Sequence, residues 1–156
     1  MNVYERLEKL GYKLPETPAK GGVYAPLKKF GNNLAYISGC GPQDKNKEVL
    51  IGKIGGELTE EQGKEAAKRC ILNVLSVIED NIGDLNNVKT FAKILVFVSS
   101  NDNFFNQPQV ADEASKLLYD VFGEEIGIAS RSAIGVNVLP GNIPVEIEAL
   151  IEIEEK

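Results

Sequence analysis

Two residues near the C-terminal end of the sequence, Arg131 and Glu146, have side chains that could do chemistry together. Arg131 lies in the run SRSAIGVNV and Glu146 in the run VEIEALIEI, and only three of the 17 lysine and arginine residues are arginine. A guanidinium binds a carboxylate through two parallel hydrogen bonds, and a carboxylate can orient and activate water. The pair therefore indicates either a structural ion pair on a sheet or a site for a small carboxylate.

Both runs alternate as β-strands do, so their side chains divide between two faces of a sheet. In the first run, the even positions 132 to 138 are predicted to pack on helices, and Arg131 lies opposite them with Ala133 and Gly135. In the second run, Val145 and the following odd positions form the apolar face, opposite Glu146. The short LPGNIP connection favours antiparallel neighbours, so Arg131 and Glu146 would share one face, a few residues out of register. Direct contact and a water-bridged gap both remain open.

The composition excludes several classes of function. Histidine is absent, which excludes Ser-His-Asp and Cys-His catalysis and disfavours a zinc site. Cys40 and Cys70 lie outside any C-x-x-C pair and predict no disulfide framework. The net charge of −6 disfavours binding to nucleic acid or to an anionic membrane. With a charged N-terminus and no long apolar run, we expect a soluble, cytoplasmic protein.

The elements that must position these residues follow from periodicity and capping signals. A short N-terminal helix is followed by the order β-β-α-β-α-β-β, with strands and helices that include 88–100 and 110–123. Thr59 and Gln62 form a capping box for the longest helix, and Gly83 ends it. We predict one domain, with a helix and connection over 1–19 and a core over 20–155.

The predicted fold is α+β, with two helices on one face of a single mixed sheet. The strand over 88–100 is apolar on both sides, because Phe91, Leu95 and Phe97 lie opposite Ile94 and its even-numbered neighbours. An apolar face left open to water is unfavourable. This pattern predicts an oligomer in which another subunit covers that face.

Two motifs resemble the signatures of the YjgF/RidA family. SRSAIGVNVLPGNIPVEIEA resembles its C-terminal signature, (A)RS-x-V-x-V-x-x-LP-x(4)-(V)EIEA. VYAPLKKFGNNLAYISGCGP resembles its N-terminal signature, in which a tyrosine precedes G-N-x-hydrophobic-x-x-SGQ-x-P. The resemblance covers about residues 20 to 155, and the N-terminal helix and the long loop over 39–57 are similar to a longer subgroup.

The resemblance implies a chorismate-mutase-like fold and a homotrimer whose three sheets form a central barrel with the helices outside. Active sites in this family lie in clefts between subunits. The implied activity is that of a hydrolase acting on C–N bonds, a deaminase that converts reactive 2-enamino and 2-imino acids to 2-keto acids and ammonia. It implies a small carboxylate substrate and neither a metal nor a cofactor.

Carried over by position, the resemblance implies that Arg131 grips the substrate carboxylate and that Glu146 positions the attacking water. Tyr24 corresponds to the tyrosine that lines the pocket, although packing in the hairpin is the alternative. The proximity of Arg131 would favour the charged form of Glu146.

The remaining implied contacts include three departures from the family pattern, at Cys40, at Ala133 and at a polar pocket residue, often asparagine, that is not clearly alignable. Ser38 and Gly39 match the SG of the SGQ motif, but Cys40 replaces its glutamine, as a pocket residue that is either reactive or simply packed. Ala133 stands where a cysteine is common, and a backbone contact to the ligand survives that change. Asp112 is the nearest candidate for a polar pocket residue.

Two other functions remain open. A non-enzymatic carboxylate sensor or chaperone-like protein would use the same clefts, keeping Arg131 without needing Glu146. The endoribonuclease (L-PSP-like) or translation-inhibiting role attached to family names is disfavoured by the net charge of −6 and the absence of histidine.

Overall fold

Nine regular elements make up the computed structural model, which describes residues 1–154, so position 155 of the predicted core lies outside the described residues. They are α1 (Val3–Lys9), β1 (Leu27–Phe30), β2 (Leu34–Cys40), α2 (Glu60–Ile82), β3 (Val88–Ser99), α3 (Gln107–Phe122), α4 (Glu124–Gly127), β4 (Ser130–Val136) and β5 (Val145–Ile153). Two short 3-10 turns, Leu85–Asn87 and Pro140–Asn142, precede β3 and β5.

The five strands form one mixed sheet in the order β1-β2-β5-β3-β4. Strand β4 runs parallel to β3, and the other neighbours are antiparallel. Helices α2 and α3 pack together on one face, over fully buried side chains of the central strands such as Ile94, Val96, Ile147 and Ile151. The predicted α+β layout is therefore confirmed. Within residues 1–154, no helix combines the length and the apolar character needed to cross a bilayer.

Helix α2 begins and ends where its capping residues predict. The Thr59 hydroxyl accepts a hydrogen bond from the backbone N–H of Gln62 at 3.2 Å. The side-chain oxygen of Gln62 accepts one from the backbone N–H of Thr59 at 2.9 Å. Gly83 ends the helix with a φ of 88°, a left-handed conformation that suits glycine. These caps fix both ends of the helix that packs against β2 and β5.

The predicted pairing of the strands that carry Arg131 and Glu146 is wrong, because β3 lies between β4 and β5. Arg131 is opposite Ile94 on one side of β3, and Glu146 is opposite Phe97 on the other. The cause is the crossover from β3 through α3, which returns β4 beside its own predecessor in a parallel β-α-β unit. The short connection after β4 then crosses the end of β3.

The predicted face of Arg131 is also wrong. Its partner Ile94 is buried against the helices, so Arg131 and Ala133 lie on the helix side, and Ile134 lies on the opposite side with 42% of its surface exposed. Because β4 is an edge strand, its side chains need not be as apolar and as fully buried as those of a central strand. The arginine is accommodated there because α3 offers it polar partners, described below.

The sheet surface away from α2 and α3, which we call the open face, carries Tyr36, Leu95, Phe97, Ile134 and Glu148. Phe91 was predicted to join it, but irregular register between β3 and β5 turns this ring to the helix side. There it packs edge-on against Phe122, with ring centroids 5.0 Å apart. The open face is thus less apolar than predicted. Its burial in a homotrimer stays a prediction.

Candidate functional site

A cavity of about 540 Å³ lies beside the C-terminal end of β2. Three parts of the chain line it: the connection from Pro18 to Pro26, the stretch from Ser38 to Gln43, and the start of β5 with the turn before it. The volume is within the range of small-molecule sites. The cavity brings together Tyr24, Ser38, Gly39, Cys40 and Glu146, five of the predicted site residues.

The carboxylate of Glu146 lies directly over Gly39. A methyl group placed at Gly39 would lie 2.0 Å from Glu146 Oε1, well inside van der Waals contact. The two residues are on neighbouring strands, where β2 and β5 shift register between Ile37 and Cys40. Glycine at position 39 therefore allows the carboxylate to reach the cavity, which explains the glycine of the SG motif in this chain.

The pKa of Glu146 is raised, first by burial of the carboxyl group and then by the negative charge of Glu148. The expected effect of Arg131, a lowered pKa, does not occur within one chain, because the two side chains are on different faces and separate strands. A raised pKa makes the carboxylate of Glu146 a stronger base than that of an exposed glutamate.

Cys40 is buried beside this carboxylate. Burial and the charge of Glu146 raise the pKa of the Cys40 thiol to about 12, so it stays protonated at neutral pH. A thiol of this kind is a poor nucleophile. The structure thus favours the packing interpretation of Cys40 over the reactive one.

Tyr24 and Ser38 form another part of the cavity wall. The Ser38 hydroxyl donates to the carbonyl of Ala25 at 2.7 Å, and its amide donates to the carbonyl of Pro26 at 2.9 Å. These bonds fix the segment that carries Tyr24 against β2. The Tyr24 side chain remains 45% exposed at the cavity, as expected of a pocket wall rather than of a residue packed in the core.

Arg131 lies outside this cavity and is held by α3. Its Nη1 donates to Asp112 Oδ1 at 2.8 Å and to Ser115 Oγ at 3.1 Å. Nε and Nη2 have no hydrogen-bond partner within residues 1–154, and together they form a fork that can bind a carboxylate. The predicted ion pair between Arg131 and Glu146 is therefore wrong, and Arg131 pairs with Asp112 instead.

Arg131 and Ala133 are thus separated from the cavity within one chain. The two strands β4 and β5 are about 10 Å apart across β3, and Arg131 is offset from Glu146 by three positions along β3, or about 10 Å. A single substrate of a few carbon atoms cannot contact both side chains in one chain. A site that uses both needs a second copy of the chain.

Sequence reasoning missed two residues that the structure places near these groups. Ser115 lies one helical turn from Asp112 on α3 and could have been found from that spacing. Lys20 lines the cavity, and the only signal was its position four residues before Tyr24. Within residues 1–154, no three Cys, Asp or Glu side chains are grouped to hold a metal ion.

The close approach at Gly39 gives a testable expectation. In Gly39→Ala, the new methyl group should displace the carboxylate of Glu146, since the two would be 2.0 Å apart. The backbone of Gly39 is outside the left-handed region, so alanine can adopt the same conformation, and the fold should persist because only the side chain of Glu146 has to move. We expect any activity that depends on Glu146 to fall at least about tenfold.

Circular dichroism and thermal melting should show little change in Gly39→Ala. The control is Glu8→Ala, an exposed change on α1 outside the cavity. Wild-type activity in Gly39→Ala would contradict the placement of the reacting carboxylate over this glycine.

The class of this protein is chorismate-mutase-like. It is defined by a five-stranded mixed sheet with two helices on one face, together with a glutamate above a glycine at the end of β2. The family model described as "YjgF/chorismate_mutase-like, putative endoribonuclease" matches residues 4–152. The chain therefore belongs to the YjgF/RidA family, as its two motifs indicated.

Similar proteins agree with this assignment. Protein TCP17 of Trypanosoma cruzi is 39% identical over 151 residues, which are 97% of this chain and 94% of TCP17. The 2-iminobutanoate/2-iminopropanoate deaminase of Dermatophagoides farinae is 27% identical over 141 residues, 90% of this chain and 93% of that protein. The crystal structure of Atu1372 from Agrobacterium tumefaciens, of unknown function, superposes with a TM-score of 0.89 at 34% identity, covering 97% of this chain and 92% of Atu1372.

Proposed function

We propose that this protein hydrolyses 2-imino acids, including those formed from 2-enamino acids, to 2-keto acids and ammonia. The observation that carries the proposal is the half-buried carboxylate of Glu146, which lies over Gly39 in a cavity of about 540 Å³ and has no ion-pair partner within residues 1–154. The name of the Dermatophagoides farinae relative, 27% identical, supports the same reaction class.

In the proposed reaction, Glu146 accepts a proton from a water molecule while the water oxygen bonds to the carbon of the protonated imine and the second C–N bonding pair moves to nitrogen. The adduct carries a hydroxyl and an amino group on one carbon. Glu146 then returns its proton to the amino group, the C–N bond breaks with its electron pair leaving on ammonia, and the hydroxyl group gives up its proton to the carboxylate of Glu146 as the carbonyl of the keto acid forms. Because the pKa of Glu146 is raised, this carboxyl group is suited to these proton transfers.

Arg131 supplies the carboxylate contact from a second copy of the chain. Its Nε and Nη2 form the free fork, while Asp112 and Ser115 hold Nη1 and so orient the guanidinium. β4 is the edge strand of the sheet, so Arg131 and the backbone of Ala133 lie where another subunit can approach. In this arrangement Arg131 of the partner subunit faces the cavity of Glu146.

The other cavity residues then take the roles that the resemblance implied. Tyr24 forms a wall, Ser38 fixes that wall, and Cys40 packs beneath Glu146. The backbone of Gly39 contacts the ligand, and backbone N–H groups stabilise charge as the adduct forms. The homotrimer and its inter-subunit clefts belong to this proposal.

The test couples a threonine dehydratase, which releases an enamino acid, to the appearance of the keto acid, with and without this protein. Wild type should accelerate keto-acid formation. Arg131→Ala should lose on the order of a hundredfold in kcat/KM, because two charge-assisted hydrogen bonds to the carboxylate are removed. Lys9→Ala, which removes an exposed cation at the end of α1, should keep the wild-type rate.

Light scattering and circular dichroism must show the same assembly and fold for Arg131→Ala and wild type. Equal rates for the two proteins would contradict the role of Arg131. No acceleration by wild type, together with measurable binding of 2-oxobutyrate, would instead support a carboxylate-binding protein without catalysis.

A further inference from the structure

The connection between α1 and β1 forms a fixed wall of the Glu146 cavity. The Ser76 hydroxyl donates to the carbonyl of Pro15 at 2.9 Å, and the Thr17 hydroxyl donates to the carbonyl of Ser76 at 3.4 Å. An ion pair between Glu16 and Lys45 joins the same connection to the loop after β2. These contacts hold the connection against α2 and along one side of the cavity.

Lys20 belongs to this wall, and the backbone next to it is also held. The amide of Gly21 donates to the hydroxyl oxygen of Tyr24 at 3.0 Å. With the contacts at Pro15 and Thr17 on one side and Gly21 on the other, Lys20 is kept at the cavity although its side chain remains exposed. A lysine so placed can reach a ligand without a large loop movement.

Lys20 has no ion-pair partner among the charged groups of residues 1–154. It is the one lysine or arginine among the residues that line the cavity, and it makes no ion pair within residues 1–154. The pKa of Glu146 is raised rather than lowered, so no cation of the described chain neutralises this carboxylate at close range. Lys20 and Glu146 therefore line the same cavity without forming an ion pair within residues 1–154.

We propose that Lys20 binds a second anionic group of the substrate, so that this site prefers 2-imino dicarboxylates to 2-imino monocarboxylates. This inference rests on the proposed function, in which Arg131 of the partner subunit holds the carboxylate next to the imine carbon. Lys20 then holds the distal carboxylate. Reactions that oxidise the amino group of acidic amino acids produce imines of this class.

The experiment compares two imines made in place by amino-acid oxidases, one from aspartate and one from leucine. The specificity ratio, kcat/KM for the dicarboxylate over kcat/KM for the monocarboxylate, is measured for wild type and for Lys20→Gln. The ratio should exceed one in wild type and fall about tenfold in Lys20→Gln, as loss of a hydrogen-bonded charge pair predicts. Lys13→Gln, a nearby exposed lysine outside the cavity, should keep the wild-type ratio.

A wild-type ratio at or below one would overturn the inference, and so would an unchanged ratio in Lys20→Gln. Calorimetry with the stable acids oxaloacetate and 2-oxobutyrate separates this result from failure of the proposed reaction. If wild type hydrolyses neither imine but binds the diacid more tightly, and Lys20→Gln removes that preference, then the proposed function fails and the role of Lys20 stands. Equal binding of the two acids by wild type would overturn the role of Lys20 as well.

Discussion

Glu146→Gln should hydrolyse 2-imino acids about a hundredfold to ten-thousandfold more slowly than wild type, the range expected when a general base is removed. Glutamine has the same shape and can lie over Gly39, but its amide cannot accept a proton from water at neutral pH. The change also removes a half-buried charge, so the fold should not weaken. Keto-acid formation and thermal melting measure the two effects.

The pH dependence of the wild-type rate offers a second check on Glu146. Activity should fall as the pH drops through the pKa of this carboxyl group, because its protonated form accepts no proton. Burial and the charge of Glu148 raise that pKa. In Glu148→Gln, the acidic limb of the pH–rate profile, where the rate falls with decreasing pH, should therefore move to lower pH. Glu8→Gln, an exposed change on α1, should leave both the rate and the limb unchanged. Wild-type activity in Glu146→Gln would exclude Glu146 as the base.

A mixture of Arg131→Ala and Glu146→Gln subunits should regain about a quarter of the wild-type activity, although each variant alone is nearly inactive. In a closed ring of copies, each proposed site takes Arg131 from one subunit and Glu146 from the next. With equal, random mixing, about one site in four receives both intact residues. A site built within one chain would regain none.

This experiment requires subunits that truly exchange. The two variants carry different affinity tags and are unfolded and refolded together; a two-tag pull-down on a sample confirms that they mix, and the whole refolded mixture is assayed. Each variant refolded with itself is the control and should stay inactive. Mixed assemblies without recovered activity would contradict a site shared between two subunits. Arg131 and Glu146 are too far apart within one chain to form the site there.

Every regular element except the one-turn helix α4 was predictable from sequence, and five candidate site residues lie together at one cavity. The cap at Thr59 and the stop at Gly83 depend on neighbours within a few residues, and the structure has both. The alternation in β5 correctly placed Glu146 opposite the buried face. The motif around Ser38 and Gly39 also lies at the cavity, where the resemblance implied.

What the tertiary structure alone decided is the order of strands and the residues that meet across it. Sequence alternation showed that β4 has two faces, but the crossover through α3 determined its neighbour, and Asp112 on that helix determined where Arg131 points. Lys20 reached the cavity only through contacts with residues far away in sequence, such as that between Thr17 and Ser76. Capping and periodicity are local and readable along the chain, whereas strand order and cavity walls depend on which distant segments pack together in three dimensions.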